Sequence, residues 1–272
     1  MDVELLGPFS ARVGDSTLRL TARKQRALLA MLAMHANEVV PVPALIEELW
    51  GDAAPRTVIT TLQVYIMQLR NRIADAAGHQ PDGTATDAKQ VIVTHTRGYR
   101  LDTADGLIDV QEFGRLAEAG HRARELGDFV AASCKFTAAL GVWRGPALVD
   151  VQVGSLLEVQ VHQLEEARRN VLDRRIDADL RIGRHHQLLG ELTGLVARHR
   201  THEGLHIQLM LALARSGRRG EAMDVYRRLQ QRLAEVGLES SQQVQEVLRM
   251  LLAHDTGPRQ RVLTGHLRDR AS

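Results

Sequence analysis

The chain has a single cysteine, Cys134, in 272 residues, so no intrachain disulfide can form. Aromatic residues make up only 3% of it. Its cores must therefore be built from Leu, Val, Ile and Ala, which favours packed helices over a large β-sandwich. No run approaches the roughly 20 apolar residues of a membrane span. The opening MDVELLGPFS begins with acids and lacks the apolar stretch of a signal peptide. These absences predict a cytoplasmic protein with no membrane partner. A strong charge of one sign is missing too: the net charge is +2 and the pI about 9.0, a weak pointer to nucleic acid. Residues 1–106 hold 11 Lys and Arg against 12 Asp and Glu. Any nucleic-acid site there must rest on how the cations cluster.

What is present is enough apolar material, 44% of residues, for one large domain or two ordinary ones. Short β-like runs at Val3–Leu6, Ala11–Val13 and Thr17–Leu20, with turn residues Gly7-Pro8 and Gly14-Asp15 between them, predict a small antiparallel meander. A helix capped by Thr21 follows, carrying Leu28, Leu29, Leu32 and Ala36 inward. Val39-Val40 reads as a short strand, and Val42–Trp50 as a helix with Leu45, Ile46 and Leu49 inward, ended by Gly51. The stretch Pro55–Ile73 predicts a further helix. Its stripe Val58, Leu62, Tyr65, Leu69, Ile73 steps by four, three, four and four and should face a core. Arg56, Thr57, Thr60, Val64, Met67 and Asn71 fall on the other side, flanked by Thr61, Gln63, Gln68 and Arg70, with no acid between Arg56 and Asn71. Such a face approaches phosphates without repulsion. After a polar loop, Gly78–Lys89, the runs Val91–Val93 and Tyr99–Leu101 joined through Thr94–Gly98 predict a hairpin.

Sheet, three helices and hairpin is the order of a winged helix, in which the third helix can lie in the major groove and the hairpin reach an adjacent minor groove. The segments LLGPFSARVG, TARKQRALLAMLAMHANEVVPVPALIEELWG, APRTVITTLQVYIMQLRNRIA and IVTHTRGYRL, in that order, resemble the DNA-binding domain of the Streptomyces antibiotic regulatory proteins, an OmpR-type winged helix. The resemblance implies recognition-helix contacts at Thr57, Thr60, Thr61, Val64, Gln68 and Arg70, with a wing contact at Arg97. Arg56, Asn71, Arg72 and Thr94 complete the expected DNA-binding set.

From Leu107 onward helical patterns dominate. Asp109–Leu126 and Asp128–Trp143 predict a pair broken at Gly127, closed by the turn Trp143–Leu148. A long helix follows from Ser155 to about Ile182. Gly183-Arg184 and Gly217-Arg218 lie 34 residues apart, a tetratricopeptide-like period. The patterns FxxLxxxGxxAxxxGDFxxA (Phe113–Ala132), WRGPAL and LMLALARSGRRGEAMDVY resemble the bacterial transcriptional activation domain that follows the winged helix in the same family. The expected fold is mainly α with a small β part: residues 1–106 as the winged helix, 107–256 as the helical activation domain and 257–272 as a basic tail, either disordered or weakly DNA-binding.

The resemblance implies a transcriptional activator of a secondary-metabolite gene cluster that binds double-stranded DNA at a direct-repeat operator as a homodimer. It also implies recruitment of RNA polymerase holoenzyme through its sigma factor and alpha C-terminal domain. No cofactor, metal or catalytic residue is expected. Two alternatives stand beside this reading. One is a repressor on the same fold. The other is a zinc hydrolase, because His202-Glu203-Gly204-Leu205-His206 fits the H-E-x-x-H pattern in which two His on one helical turn hold Zn²⁺ and the Glu activates water. Gly204 and the lack of a convincing third ligand weigh against it. Cys134 among alanines reads as a small packed residue, and Trp143 and Tyr226 as core.

Overall fold

The computed structural model describes residues 1–78, 88–104 and 106–253. The described residues pack as two units, divided between Ala178 and Asp179. The basic tail and most of the polar loop predicted from Gly78 lie outside the described residues.

The first unit opens with the predicted meander, β1 (Asp2–Glu4), β2 (Ser10–Val13) and β3 (Ser16–Thr17), antiparallel in that order. β3 is shorter than predicted, since Leu18 turns into the core instead of continuing the strand. Helix α1 (Arg23–Met34) buries Leu28, Leu29 and Leu32. Its N-cap is Ala22, whose carbonyl accepts from the Arg26 N–H at 3.1 Å, so Thr21 does not cap it. Asn37 follows at φ 69, a conformation that Asn tolerates better than most residues. There its N–H donates to the Leu101 carbonyl at 2.8 Å and its side chain bonds Thr103. Strand β4 (Val40–Pro41) leads into α2 (Val42–Trp50), which stops at Gly51 with φ 52, and a 3-10 turn (Gly51–Ala53) follows.

Helix α3 (Val58–Ala77) starts three residues later than the sequence predicts. Pro55, Arg56 and Thr57 form a turn closed by the Val58 N–H on the Pro55 carbonyl at 3.0 Å. The buried stripe is Leu62, Ile66, Leu69, Ile73 and Ala77. Ile66 thus takes the inward position expected of Tyr65, whose ring is half-buried and stacks on Trp50 with centroids 6.0 Å apart. Each fully buried Leu or Ile of this stripe contributes about 1.5–3 kcal/mol. The short α4 (Ala88–Val91) includes Val91, which the sequence placed in a strand. Then β5 (Ile92–His95) and β6 (Gly98–Leu101) form the hairpin, and β6 also pairs with β4, giving a sheet ordered β4-β6-β5.

Helices α5 (Asp109–Glu125) and α6 (Phe129–Gly141) pack around Phe113, Leu116 and Phe136, with Gly127 at φ 77 between them and Asp128 capping α6. Cys134 is exposed rather than packed, because the inward face of α6 runs through Ala132, Ser133, Phe136 and Ala139. Trp143 is buried against Phe113, with the Arg168 guanidinium over its ring. The long α7 (Ser155–Arg181) follows.

Two carboxylates fasten these helices to the winged helix. Asp109 accepts from the N–H groups of Leu5 and Leu6 at 2.8 Å, with Arg144 at 3.6 Å. Burial raises its pKa, opposed by those backbone donors and by Arg144. Glu48, only 4% exposed, accepts from Gly154, Leu156 and Leu157 at 2.5, 3.1 and 2.9 Å and so caps the start of α7. Gly154 is required for this approach: a Cβ there would lie 2.1 Å from the Glu48 carbonyl oxygen.

The second unit stacks α8 (His185–Arg198), α9 (Glu203–Arg215), α10 (Arg219–Glu235) and α11 (Gln242–Ala253). Gly183 and Gly217 stand at φ 84 and 78, the left-handed positions where the helical pattern breaks. The described residues place the H-E-x-x-H stretch in structural roles. His202 caps α9, its Nδ1 accepting from the Leu205 N–H at 3.3 Å. Glu203 accepts from the Ser241 N–H at 2.8 Å, and His206 is buried with its Nδ1 3.0 Å from the His202 carbonyl. Among the described residues, no group of three or more His, Cys, Asp or Glu is placed to hold a metal ion, and no helix is long and apolar enough to cross a membrane.

Candidate nucleic-acid interface

Because Leu62, Ile66, Leu69 and Ile73 fix one side of α3 inward, the 3.6-residue period turns Thr57, Thr60, Val64, Met67 and Asn71 outward. All five are exposed, as are Arg56, Gln68 and Arg72. From Thr57 to Asn71 this face is about 21 Å long at 1.5 Å per residue, and the first acid after Arg56 is Asp75. Apolar side chains stand out on the helix: Ile59, Val64 and Met67 are 58%, 38% and 53% exposed. Exposed Val and Met beside Thr, Gln and Asn suit a surface that meets both hydrogen-bonding base edges and thymine methyls.

The flanks of α3 differ. Thr61 is half-buried and its hydroxyl donates to the Thr57 carbonyl at 3.0 Å, a tie that occupies its proton. Arg70 turns toward the hairpin, donating from Nε and Nη2 to the Ile92 carbonyl at 3.0 and 2.5 Å and from Nη2 to the Thr94 hydroxyl at 2.8 Å. It therefore couples helix to wing. On the opposite flank Gln25 of α1 donates to the Gln68 side chain. Gln25 thereby joins the surface, and nothing in its local sequence announces this, since it sits in the general α1 pattern.

The wing is positioned by the winged-helix core. Thr96 and Arg97 form the turn between β5 and β6, and Arg97 is exposed at the tip. The Arg97 carbonyl accepts from the Val42 N–H, the first of α2, at 3.0 Å. Gly98 permits the sheet to close, because a Cβ at this position would lie 2.0 Å from the Val40 carbonyl oxygen. Thr94 is exposed on the outer side of β5. The structure thus brings the outward residues of α3, and through Arg70 the wing residue Thr94, into one assembly, while Arg97 stands at the hairpin tip.

Comparison with known proteins agrees with this architecture. Residues 15–101 match the family described as transcriptional regulatory protein, C terminal, and residues 108–252 match the bacterial transcriptional activator domain. The chain is 44% identical over 258 residues to the regulatory protein DnrI of Streptomyces peucetius, covering 94% of each chain. It is 34% identical to the regulatory protein AfsR of Streptomyces coelicolor over 92% of this chain but only 24% of that longer relative. Among solved structures, Mycobacterium tuberculosis EmbR in complex with a low-affinity phosphopeptide superimposes with a TM-score of 0.84 at 30% identity, covering 93% of this chain and 65% of that one. The chain belongs to the Streptomyces antibiotic regulatory proteins, the transcriptional activators of antibiotic biosynthesis, in their small form of OmpR-like winged helix and bacterial transcriptional activator domain.

Proposed function

We propose that α3 enters the major groove of a direct-repeat operator while the wing reaches an adjacent minor groove. Thr57, Thr60, Thr61, Val64, Gln68 and Asn71 meet base edges, Arg56 and Arg72 meet phosphates, Arg70 sets the wing, and Thr94 and Arg97 contact the flanking groove. Residues 1–106 serve DNA, and residues 107–256 serve activation. Two protomers bind side by side as a homodimer near the promoter, in the cytoplasm, and recruit RNA polymerase holoenzyme through its sigma factor and alpha C-terminal domain. The protein acts as a regulator rather than a catalyst. One observation carries the reading: the outward face of α3, free of acids over the roughly 21 Å from Thr57 to Asn71, is tied through Arg70 to the wing.

Footprinting over the DNA around the protein's own gene, followed by transcription in vitro with purified holoenzyme, tests it. The expected result is protection of two adjacent repeats and a transcript that rises with added protein. Protection of a single element by one protomer would remove the dimer. A rise that persists with polymerase lacking the alpha C-terminal domain and sigma region contacts would remove the recruitment route.

A further inference from the structure

The groove along α8, α9 and α10 in the second unit plays no part in the DNA reading. It encloses about 540 Å³, within the range of ligand-binding clefts. Its floor is apolar, lined by Leu189, Leu209, Leu213 and Val225. Its rim is cationic, with Arg200, Arg218, Arg228 and Arg232 against one carboxylate, Glu221. Arg218 already makes a bidentate pair with Glu221 at 2.7 and 2.6 Å, and Arg232 pairs with Glu235 at 3.0 Å. Arg200 and Arg228, both exposed, make no ion pair among the described residues.

The shape of the groove limits what can fill it. Arg218, Glu221, Val225, Arg228 and Arg232 step by three, four, three and four, so they form one stripe along α10 and its N-cap, about 21 Å long. A fully extended peptide advances about 3.3 Å per residue, so roughly six residues match the stripe. A compact small anion would leave most of it empty. Duplex DNA is convex and offers phosphates without apolar side chains for the floor. The chain's own tail, Pro258–Ser272, carries Arg259, Arg261, Arg268 and Arg270 against Asp269 and has the wrong sign.

We infer that this groove docks an acidic segment of a partner protein, about six residues in extended form, with Leu- or Val-type side chains on the α9 and α10 floor and carboxylates on Arg200 and Arg228. Charge-assisted pairs to guanidinium are the stronger class of hydrogen bond, so these two arginines dominate selectivity.

Panning a random peptide library against the full-length protein tests this, with operator binding measured in parallel on the same preparations. Enriched peptides interleave Asp or Glu with Leu, Val or Ile. A synthetic enriched peptide binds Arg200→Glu or Arg228→Glu about tenfold more weakly, or worse, while operator affinity and melting temperature are unchanged. Arg228→Gln gives an intermediate loss. The inference is overturned by enrichment of peptides without acids, or by a peptide affinity that none of the three substitutions moves. It is equally overturned if adipate or duplex DNA displaces the peptide as well as unlabelled peptide does, since the occupant is then a small anion or nucleic acid.

Discussion

Replacing Glu48 by Ala tests whether the winged helix and the first helices of the activation domain are held by the capping carboxylate. The side chain is 4% exposed and accepts from three N–H groups at the start of α7. Truncation leaves those donors without protein partners. Hydrogen bonds to a charged group contribute about 1.5–3 kcal/mol each, and a lost N-cap costs about 0.5–2 kcal/mol. Two effects reduce the sum: the variant no longer buries a carboxylate, and water can reach the exposed Ser155 side of the cavity. The net expectation is a loss of about 2–4 kcal/mol. For a unit of this size each kcal/mol moves the midpoint by about 2–4 °C, so calorimetry should show a fall of roughly 5–15 °C. Glu48→Gln should lose about half as much, because its amide keeps one accepting oxygen but turns an N–H toward donors. Glu47→Ala serves as the control: among the described residues its carboxylate meets only the exposed Ser155 hydroxyl, at 3.4 Å, and its cost should stay within about 0.5 kcal/mol. A fall of less than about 2 °C for Glu48→Ala, or an equal fall for Glu47→Ala, refutes the reasoning.

On the DNA face, Thr60→Ala or Gln68→Ala should shrink the ratio of operator to mismatched-site affinity by about 1–3 kcal/mol in gel-shift titrations. Arg72→Ala should instead weaken all sequences alike and lower the salt slope by ~0.9; three unchanged proteins would place the contact surface elsewhere. Arg70→Ala should weaken operator binding through a loosened wing, and Arg70→Lys should not fully restore it, because lysine lacks the Nε bond to the Ile92 carbonyl and its ammonium ends one bond short of Nη2, the atom that reaches both the carbonyl and the Thr94 hydroxyl. Full affinity in Arg70→Lys would refute that coupling. In the second unit, burial lowers the pKa of His206, so the folded form binds its proton less readily than the unfolded chain. Its contribution to stability is therefore present above about pH 6.5 and lost as pH falls below it. His206→Gln should flatten the fall in melting temperature between about pH 7 and 5, though not abolish it, since burial lowers His121 and His185 too. An unchanged slope would assign the effect elsewhere.

Local chemistry made much of the fold readable. Helix α2 matches its sequence-based bounds, Val42–Trp50, because proline near its first turn and Gly51 in a left-handed conformation punctuate both ends. Periodicity alone could not choose between Tyr65 and Ile66, which both fall on the turn after Leu62. Packing chose the smaller, fully apolar side chain for the core and left the phenol at the edge against Trp50. The same ambiguity displaced Cys134, one position beyond the inward Ser133. On α3 the outward face was legible, since it is the complement of the apolar stripe, but its flanks were not. The Gln25 to Gln68 contact spans 43 residues, and the turn at Pro55–Thr57 replaced the helical start that proline suggested.

The seam between the winged helix and the helices after it was equally beyond sequence reading, and it changes how the regulator can work. The Glu48 contacts span 106 to 109 residues, and those of Asp109 to Leu5 and Leu6 span 104 and 103. Composition changes near Leu107, yet the first packed unit runs to Ala178 and includes most of α7. A family boundary drawn where β signals stop is thus not a mechanical one. Glu48 lies on α2, the helix whose first N–H holds the wing turn and whose Trp50 stacks on Tyr65 of α3. Strain at the operator on either reading element therefore has a route to α7 through α2. If that path matters, Glu48→Ala should retain operator affinity measured by gel shift yet lose transcription in vitro. A variant that binds and activates normally would show that the seam holds the fold together without transmitting anything.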